Sequence, residues 1–130
     1  MKRKAQIIQS SEDGKRKIAV DEENGESIFE FLEEKKLAKK FAMICELLIR
    51  GIKNADLYGR EEIDTYSKGV TAIKFKGRQN TRIYCKELTT EDEVLIVIVS
   101  ELHKKKKNQK NKSPEKSLIH KVASYEYKIE

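Results

Sequence analysis

Val70-Thr-Ala-Ile-Lys-Phe-Lys76 and Thr81-Arg-Ile-Tyr-Cys-Lys-Glu87 alternate apolar and polar residues, and Val94-Leu-Ile-Val-Ile-Val99 follows as an unbroken apolar run. Alternation is the period of a half-buried strand, whereas a continuous apolar run suits a central strand covered on both faces. Gly77 sits in the first connection and Thr89-Thr90-Glu91-Asp92 forms the second. Both are short, so neighbouring strands are expected to pair antiparallel.

Outward from this core, Ala5–Ser10 and Lys17–Val20 read as two strands joined across Ser11-Glu12-Asp13-Gly14, because Asp-Gly favours a tight hairpin. Asn24 or Ser27 then caps a short helix with Ile28, Phe29 and Leu32 on one face. Leu37, Phe41, Ile44, Cys45, Leu48 and Ile49 continue at helical spacing, as one bent helix or a helical hairpin, with Gly51 at the end. Asn54 to Lys68 carries turn formers and charges and reads as a loop. Ser113-Pro114-Glu115 has the order of a helix start, and Leu118, Ile119, Val122 and Ala123 make that helix's apolar face. The expected fold is α+β: N-terminal helices and a C-terminal helix packed on one face of a mainly antiparallel sheet. Ile73, Phe75, Ile83, Leu48 and Val122 would then share one core. One domain over 1–130 is expected, with 1–25 as a hairpin extension.

With 130 residues there is room for one domain. Charged residues make up 38% of the chain, against about 25% in an average soluble domain, and there is one Pro. This excludes collagen-like and Pro/Gly low-complexity chains, and no apolar run approaches the roughly 20 residues of a spanning helix. Met1-Lys2-Arg3-Lys4 leads into no signal-peptide core, so a cytoplasmic location is expected. Cys45 and Cys85 lack ligand spacing and read as buried small hydrophobes. The charge is uneven: residues 1–66 carry 13 basic and 14 acidic residues, whereas 67–130 carry 15 and 8. The positive excess of the second half calls for an anionic partner.

Strand period sharpens that inference. Ile73, Phe75, Ile83 and Cys85 point to one side, while Lys74, Lys76, Arg82, Tyr84 and Lys86 point to the other. From Lys68 to Lys86 there are six basic residues and no acidic one, Arg78 in the connection among them. Like charges facing each other destabilise a sheet, so concentrated positive charge around a Tyr suits phosphates and a stacking base. A solvated basic face that only maintains solubility is the plainer alternative. His103 is followed by Lys104, Lys105, Lys106 and Lys107, then Lys110 and Lys112, with no acid. No Gly-rich phosphate loop, Gly-x-Ser-x-Gly or His-Glu-x-x-His motif is present, so no cofactor is expected. His103 and His120 are too few for a zinc site, and Asp56, Glu61, Glu62 and Asp64 read as a solvated loop; no metal is expected.

The order of elements resembles the RelE/ParE superfamily of toxin–antitoxin toxins, most closely its HigB-like, phage-derived branch. Ala72-Ile73-Lys74 stands where the family has Glu-Leu-Arg. Arg82-Ile83-Tyr84 matches its Arg-Ile/Val-Phe/Tyr strand, and Lys106-Lys107-Asn108-Gln109-Lys110 with Pro114 matches its Lys-Lys-x-Gln-Lys segment. The resemblance covers roughly residues 26–127 and implies a RelE-like fold. It also implies metal-independent cleavage of mRNA on the ribosome by attack of a 2′-OH on the adjacent phosphate. The partners it implies are that mRNA and a cognate helix-turn-helix antitoxin, with no membrane. Arg82 would fork two phosphate oxygens, as Lys cannot. Lys74 or Lys76 would act as base or stabilise charge, Tyr84 would stack or relay a proton, and His103 titrates near neutrality. Arg78, Lys86, Lys104–Lys107 and Lys110 would hold RNA. Two further readings stay open: a non-catalytic nucleic-acid-binding domain and a ParE-type gyrase inhibitor.

Overall fold

A computed structural model describes residues 2–77, 81–103 and 113–130. In chain order its elements are β1 (Arg3–Ser10), β2 (Arg16–Asp21), α1 (Gly25–Glu34), α2 (Ala38–Ile49), β3 (Tyr58–Arg60), a 3-10 turn (Thr65–Ser67), β4 (Val70–Phe75), β5 (Thr81–Thr89), β6 (Leu95–His103), α3 (Ser113–Ser124) and β7 (Tyr127–Ile129). The strands form one sheet in the order β3-β4-β5-β6-β2-β1-β7. Among the described residues only β2–β6 and β1–β7 pair parallel; the other pairs are antiparallel. The protein is an α+β domain. None of the described helices is long and apolar enough to cross a membrane.

The apolar run lies in β6, the middle strand, as its double-sided hydrophobicity requires. The Asp13-Gly14 turn closes the β1–β2 hairpin, with Gly14 at φ +73. This hairpin is no extension, because β2 pairs directly with β6 inside the sheet. Asn54–Lys68 is likewise more than a loop: β3 pairs with β4, Tyr58 opposite Ile73, and forms the sheet edge.

Helices cover both faces, not one. On the first face α1 and α2 bury Ile28, Leu32, Phe41, Ile44 and Cys45 against Ile18, Val20, Ile73, Phe75, Ile83, Cys85, Val97 and Val99. On the second, Ile119 and Val122 of α3 pack with Tyr125 on Val70, Ala72 and Tyr84. Val122 therefore belongs to a different core from Ile73. Along the same second face Ala5, Ala19, Ile96 and Ile98 form a third apolar cluster. Within α1 it is Phe31 that is buried, while Phe29 stays exposed and meets Phe41 edge-on at 5.9 Å. Gly51, at φ +72, ends α2 as expected: its amide bonds Leu48 and the Ile52 amide bonds Leu47. Both cysteines are free and buried, and burial alone pushes the Cys45 thiol up to about 12.

One irregularity decides what the second face presents. Tyr84 pairs with Glu101 but Cys85 pairs with Val99, so Ser100 is an extra residue in β6. Such a bulge re-aims the side chains beyond it. Ile96 and Ile98 lie on the α3 side, and unbroken alternation would continue with Ser100 and Leu102. Instead Leu102 packs with the α1–α2 core, and Glu101 and His103 fall opposite Tyr84 and Arg82.

Candidate functional site

The strand face on which the sequence concentrates positive charge is roofed by α3. Tyr84 is 0% exposed, and its hydroxyl donates to Glu115 Oε1 at 2.9 Å. Burial, reinforced by the Glu115 carboxylate, holds the phenol protonated far above its ordinary range. Tyr84 is thus unavailable for stacking on a base. Lys86 is committed as well. Its ammonium donates to the carbonyls of Ala123 and Tyr125, at the end of α3, the second at 2.9 Å. A cation there satisfies carbonyls left over by the helix. Burial lowers the Lys86 pKa, with Glu126 opposing.

Toward the β4–β5 connection the face opens. Arg82 and His103 are partners across β5 and β6, and Lys74 faces Arg82 from β4. The His103 ring centroid lies 5.9 Å from that of Tyr84. The Arg82 guanidinium donates through Nη1 to Glu61, whose side chain is 15% exposed. Lys74 Nζ reaches the Ala55 carbonyl at 3.4 Å, and Lys76 pairs with Asp56 at 3.1 Å. Arg82, His103, Tyr84, Glu61 and Glu115 therefore gather at one end of the second face, with Lys74 and Lys76 flanking them. The chain leaves the sheet at His103, beside Arg82, and rejoins it through α3, where Glu115 meets Tyr84. Arg78, Lys104, Lys105, Lys106, Lys107 and Lys110 lie outside the described residues.

The absence of acids between Lys68 and Lys86 holds for the sequence but not for the folded face. The acidic segment before it folds over as a strap: Asp56 takes Lys76 and Glu61 takes Arg82. Glu62 accepts the Gly69 amide, and Asp64 takes His120 at 2.8 Å. The hydrogen bond with His120, above all, holds the Asp64 carboxyl below its usual range. Asp56, Glu62 and Asp64 are exposed, as expected of a solvated loop, and Glu61 alone of the four is partly buried. Glu61 and Glu115 are the site residues that strand-by-strand reading misses. The signal for Glu61 was the juxtaposition of an acid-rich segment with an acid-free basic one. For Glu115 the only signal was an acid in the first turn of a helix. Among the described residues no three His, Cys, Asp or Glu side chains are grouped to hold a metal ion.

Beside this end, a buried polar network fixes Glu101. Asp21, 0% exposed, accepts from Arg3 at 2.7 and 3.1 Å, from the Tyr127 hydroxyl at 2.7 Å, and from the Glu23 and Asn24 amides. Burial pushes the Asp21 pKa up, but the hydrogen bonds from Arg3, Tyr127 and the Asn24 amide outweigh it and leave the group ionised below its usual range. Asn24 Nδ2 donates to the Ser100 carbonyl and to Glu101 Oε1, which also accepts from Tyr125. The bulge at Ser100 is thereby tied to the start of α1.

No family model, curated protein or solved structure matches this chain. What the site can do must be argued from its own chemistry. A guanidinium can fork phosphate oxygens, an imidazole can move a proton near neutral pH, and carboxylates can orient the one or assist the other.

Proposed function

We propose that this chain is a metal-independent ribonuclease of the toxin type, which cuts mRNA on the ribosome and is restrained by a cognate helix-turn-helix antitoxin. The observation that carries this reading is the grouping of Arg82, His103, Glu61 and Glu115 at one end of the second sheet face. The resemblance of Arg82-Ile83-Tyr84 and the Lys106–Lys110 segment to the HigB-like branch supports it. A 2′-oxygen attacks the adjacent phosphorus, the bond to the 5′-oxygen breaks, and a 2′,3′-cyclic phosphate remains. The 2′ proton must be taken up and a proton supplied to the leaving oxygen. His103 takes the 2′ proton and hands it on to the leaving 5′-oxygen, and Arg82 stabilises the charge on the phosphorane. Glu61 positions the guanidinium, and Tyr84 holds Glu115 rather than touching a base.

The test is induced expression followed by mapping of mRNA 5′ ends. Arg82→Ala should reduce cleavage ~100- to 1000-fold, as removal of a preorganised charge-stabilising donor does, and Arg82→Lys should restore little of it. Undiminished cleavage by folded Arg82→Ala protein would overturn the proposal. A second reading, a nucleic-acid-binding domain without catalysis, rests on the basic pair Lys74 and Arg82 at the open end of the face, because Tyr84, Lys76 and Lys86 are already engaged within the protein. It requires RNA binding with no new 5′ ends.

A further inference from the structure

Among the described residues Tyr66 is the large apolar side chain that the fold leaves most bare, 78% exposed against no more than 48% for any other. Its backbone, by contrast, is tightly held. Asp64 Oδ1 accepts the Tyr66 amide at 3.0 Å, and the hydroxyl of the buried Ser67 accepts the Asp64 amide at 3.0 Å. Both Asp64 carboxylate oxygens reach His120 Nε2, at 2.8 and 3.1 Å, which pins the 3-10 turn to α3. The His120 ring stands edge-on to the Tyr66 ring at 6.2 Å. A tyrosine ring normally contributes its apolar area to a core or an interface. Here the ring is positioned in advance and its area is left to solvent.

The strap that carries Tyr66 is the one that reaches Arg82. Glu61 engages the Arg82 guanidinium, and Tyr66 follows five residues later, at most about 18 Å along even an extended chain. The two side chains therefore lie within a few nucleotides of each other. The acids between them do not stand free against a phosphate: Glu61 and Asp64 face Arg82 and His120, and Glu62 accepts the Gly69 amide. Lys116, one turn before His120 and so on the same face of α3, is exposed and has no ion pair with any described residue. Every base offers a π-face, so a bare aromatic ring beside a cation takes a single strand without reading its sequence. Apart from Ile63, the named neighbours of the ring are polar, which suits a stacked base better than the apolar centre of a protein interface.

We propose that Tyr66 stacks an unpaired base of the RNA that Arg82 engages, with Lys116 on a neighbouring phosphate. The inference rests on the ribonuclease reading for the class of ligand and adds a contact that the chemistry itself does not use. The test is fluorescence anisotropy of a fluorescein-labelled single-stranded RNA, and of the same strand made abasic, with the full chain and its variants at fixed salt. Tyr66→Ala should weaken the base-bearing strand about 5- to 150-fold, the loss of one stacked base. Tyr66→Phe should keep the parent affinity, because the ring and not the hydroxyl makes the contact. On the abasic strand the parent and Tyr66→Ala should bind alike. The unfolding midpoint of Tyr66→Ala should match the parent's, since the ring lies outside the core. Lys116→Gln should lower the salt slope of binding by about one contact, and Tyr66→Ala should leave that slope unchanged. Equal affinity of the parent and Tyr66→Ala for the base-bearing strand would overturn the inference. So would an equal loss on both strands, which would mean that the ring acts through the fold, or an absence of RNA binding by the parent. An unchanged slope in Lys116→Gln would remove the phosphate contact. Mapping of mRNA 5′ ends with Arg82→Ala decides the ribonuclease reading separately from each of these results.

Discussion

The two basic regions differ in who answers their charge. On the β4–β5 face, where the sequence concentrates cations, Lys76, Arg82 and Lys86 are each held by a group of the protein itself. Beside the end of α2, where the sequence shows nothing but scattered residues, Arg16 and Arg60 have no ion-pair partner among the described residues. A run of like charge along the chain thus says less about ligand binding than the pairing of each charge in space. The strap from Asp56 to Asp64 cancels much of the first patch.

The sharpest way to break this contrast is Tyr84→Ala. A ring at the core between α3 and the sheet should cost about 3–5 kcal/mol on truncation, read from urea or thermal unfolding. If the strand face were open, the cost would be small. Lys86→Met keeps the stem and removes the ammonium from the end of α3; about 1–2 kcal/mol of stability should go with it. Little change in unfolding midpoint would show that the face tolerates a free lysine.

Acid pH tests the strap. The Asp64 carboxyl is held below its ordinary range, so its contribution is present above the unfolded carboxylate pKa near 4 and lost as pH falls through the lower folded value. Asp64→Asn should therefore flatten part of the stability–pH curve on its acid limb, compared with the parent by unfolding at a series of pH values. The smallest effect is expected beside the end of α2. Arg16→Ala should move stability by no more than about 0.5 kcal/mol, as for an exposed side chain without an ion-pair partner among the described residues. Loss of several times that would mean Arg16 is a structural residue after all.

RNA binding sharpens the same comparison through salt. Each phosphate contact contributes roughly 0.7–0.9 log units of affinity per tenfold change in salt. With Lys86 engaged at α3, Lys86→Met should leave the slope unchanged, whereas replacing Lys74 should reduce it by about one contact's worth. A shallower slope in Lys86→Met would return Lys86 to the RNA surface.

Much was legible before folding, because alternation and helical spacing are local properties. The period of two assigned Ile73, Phe75, Ile83 and Cys85 to one face, and the structure has them in one core. The apolar run became the central strand, Asp13-Gly14 became the turn, and Gly51 ended α2. Arg82 and His103, on separate strands, were both singled out, and they are neighbours.

The chain by itself determined which residues share a strand face, since a side chain's direction follows from its own backbone. It could not determine what lies on that face. α3 returns from the far end of the chain to bury Tyr84, and Glu61 and Glu115 reach the site from segments on either side of the strands. The bulge at Ser100 reversed the expected sense of Glu101 and His103 midway along a strand. It is fixed by Asn24 and Tyr127, residues 76 and 27 positions away along the chain. Period is set by neighbours along the backbone, but a charge's partner and a strand's phase are set by contacts that exist only once distant segments have packed.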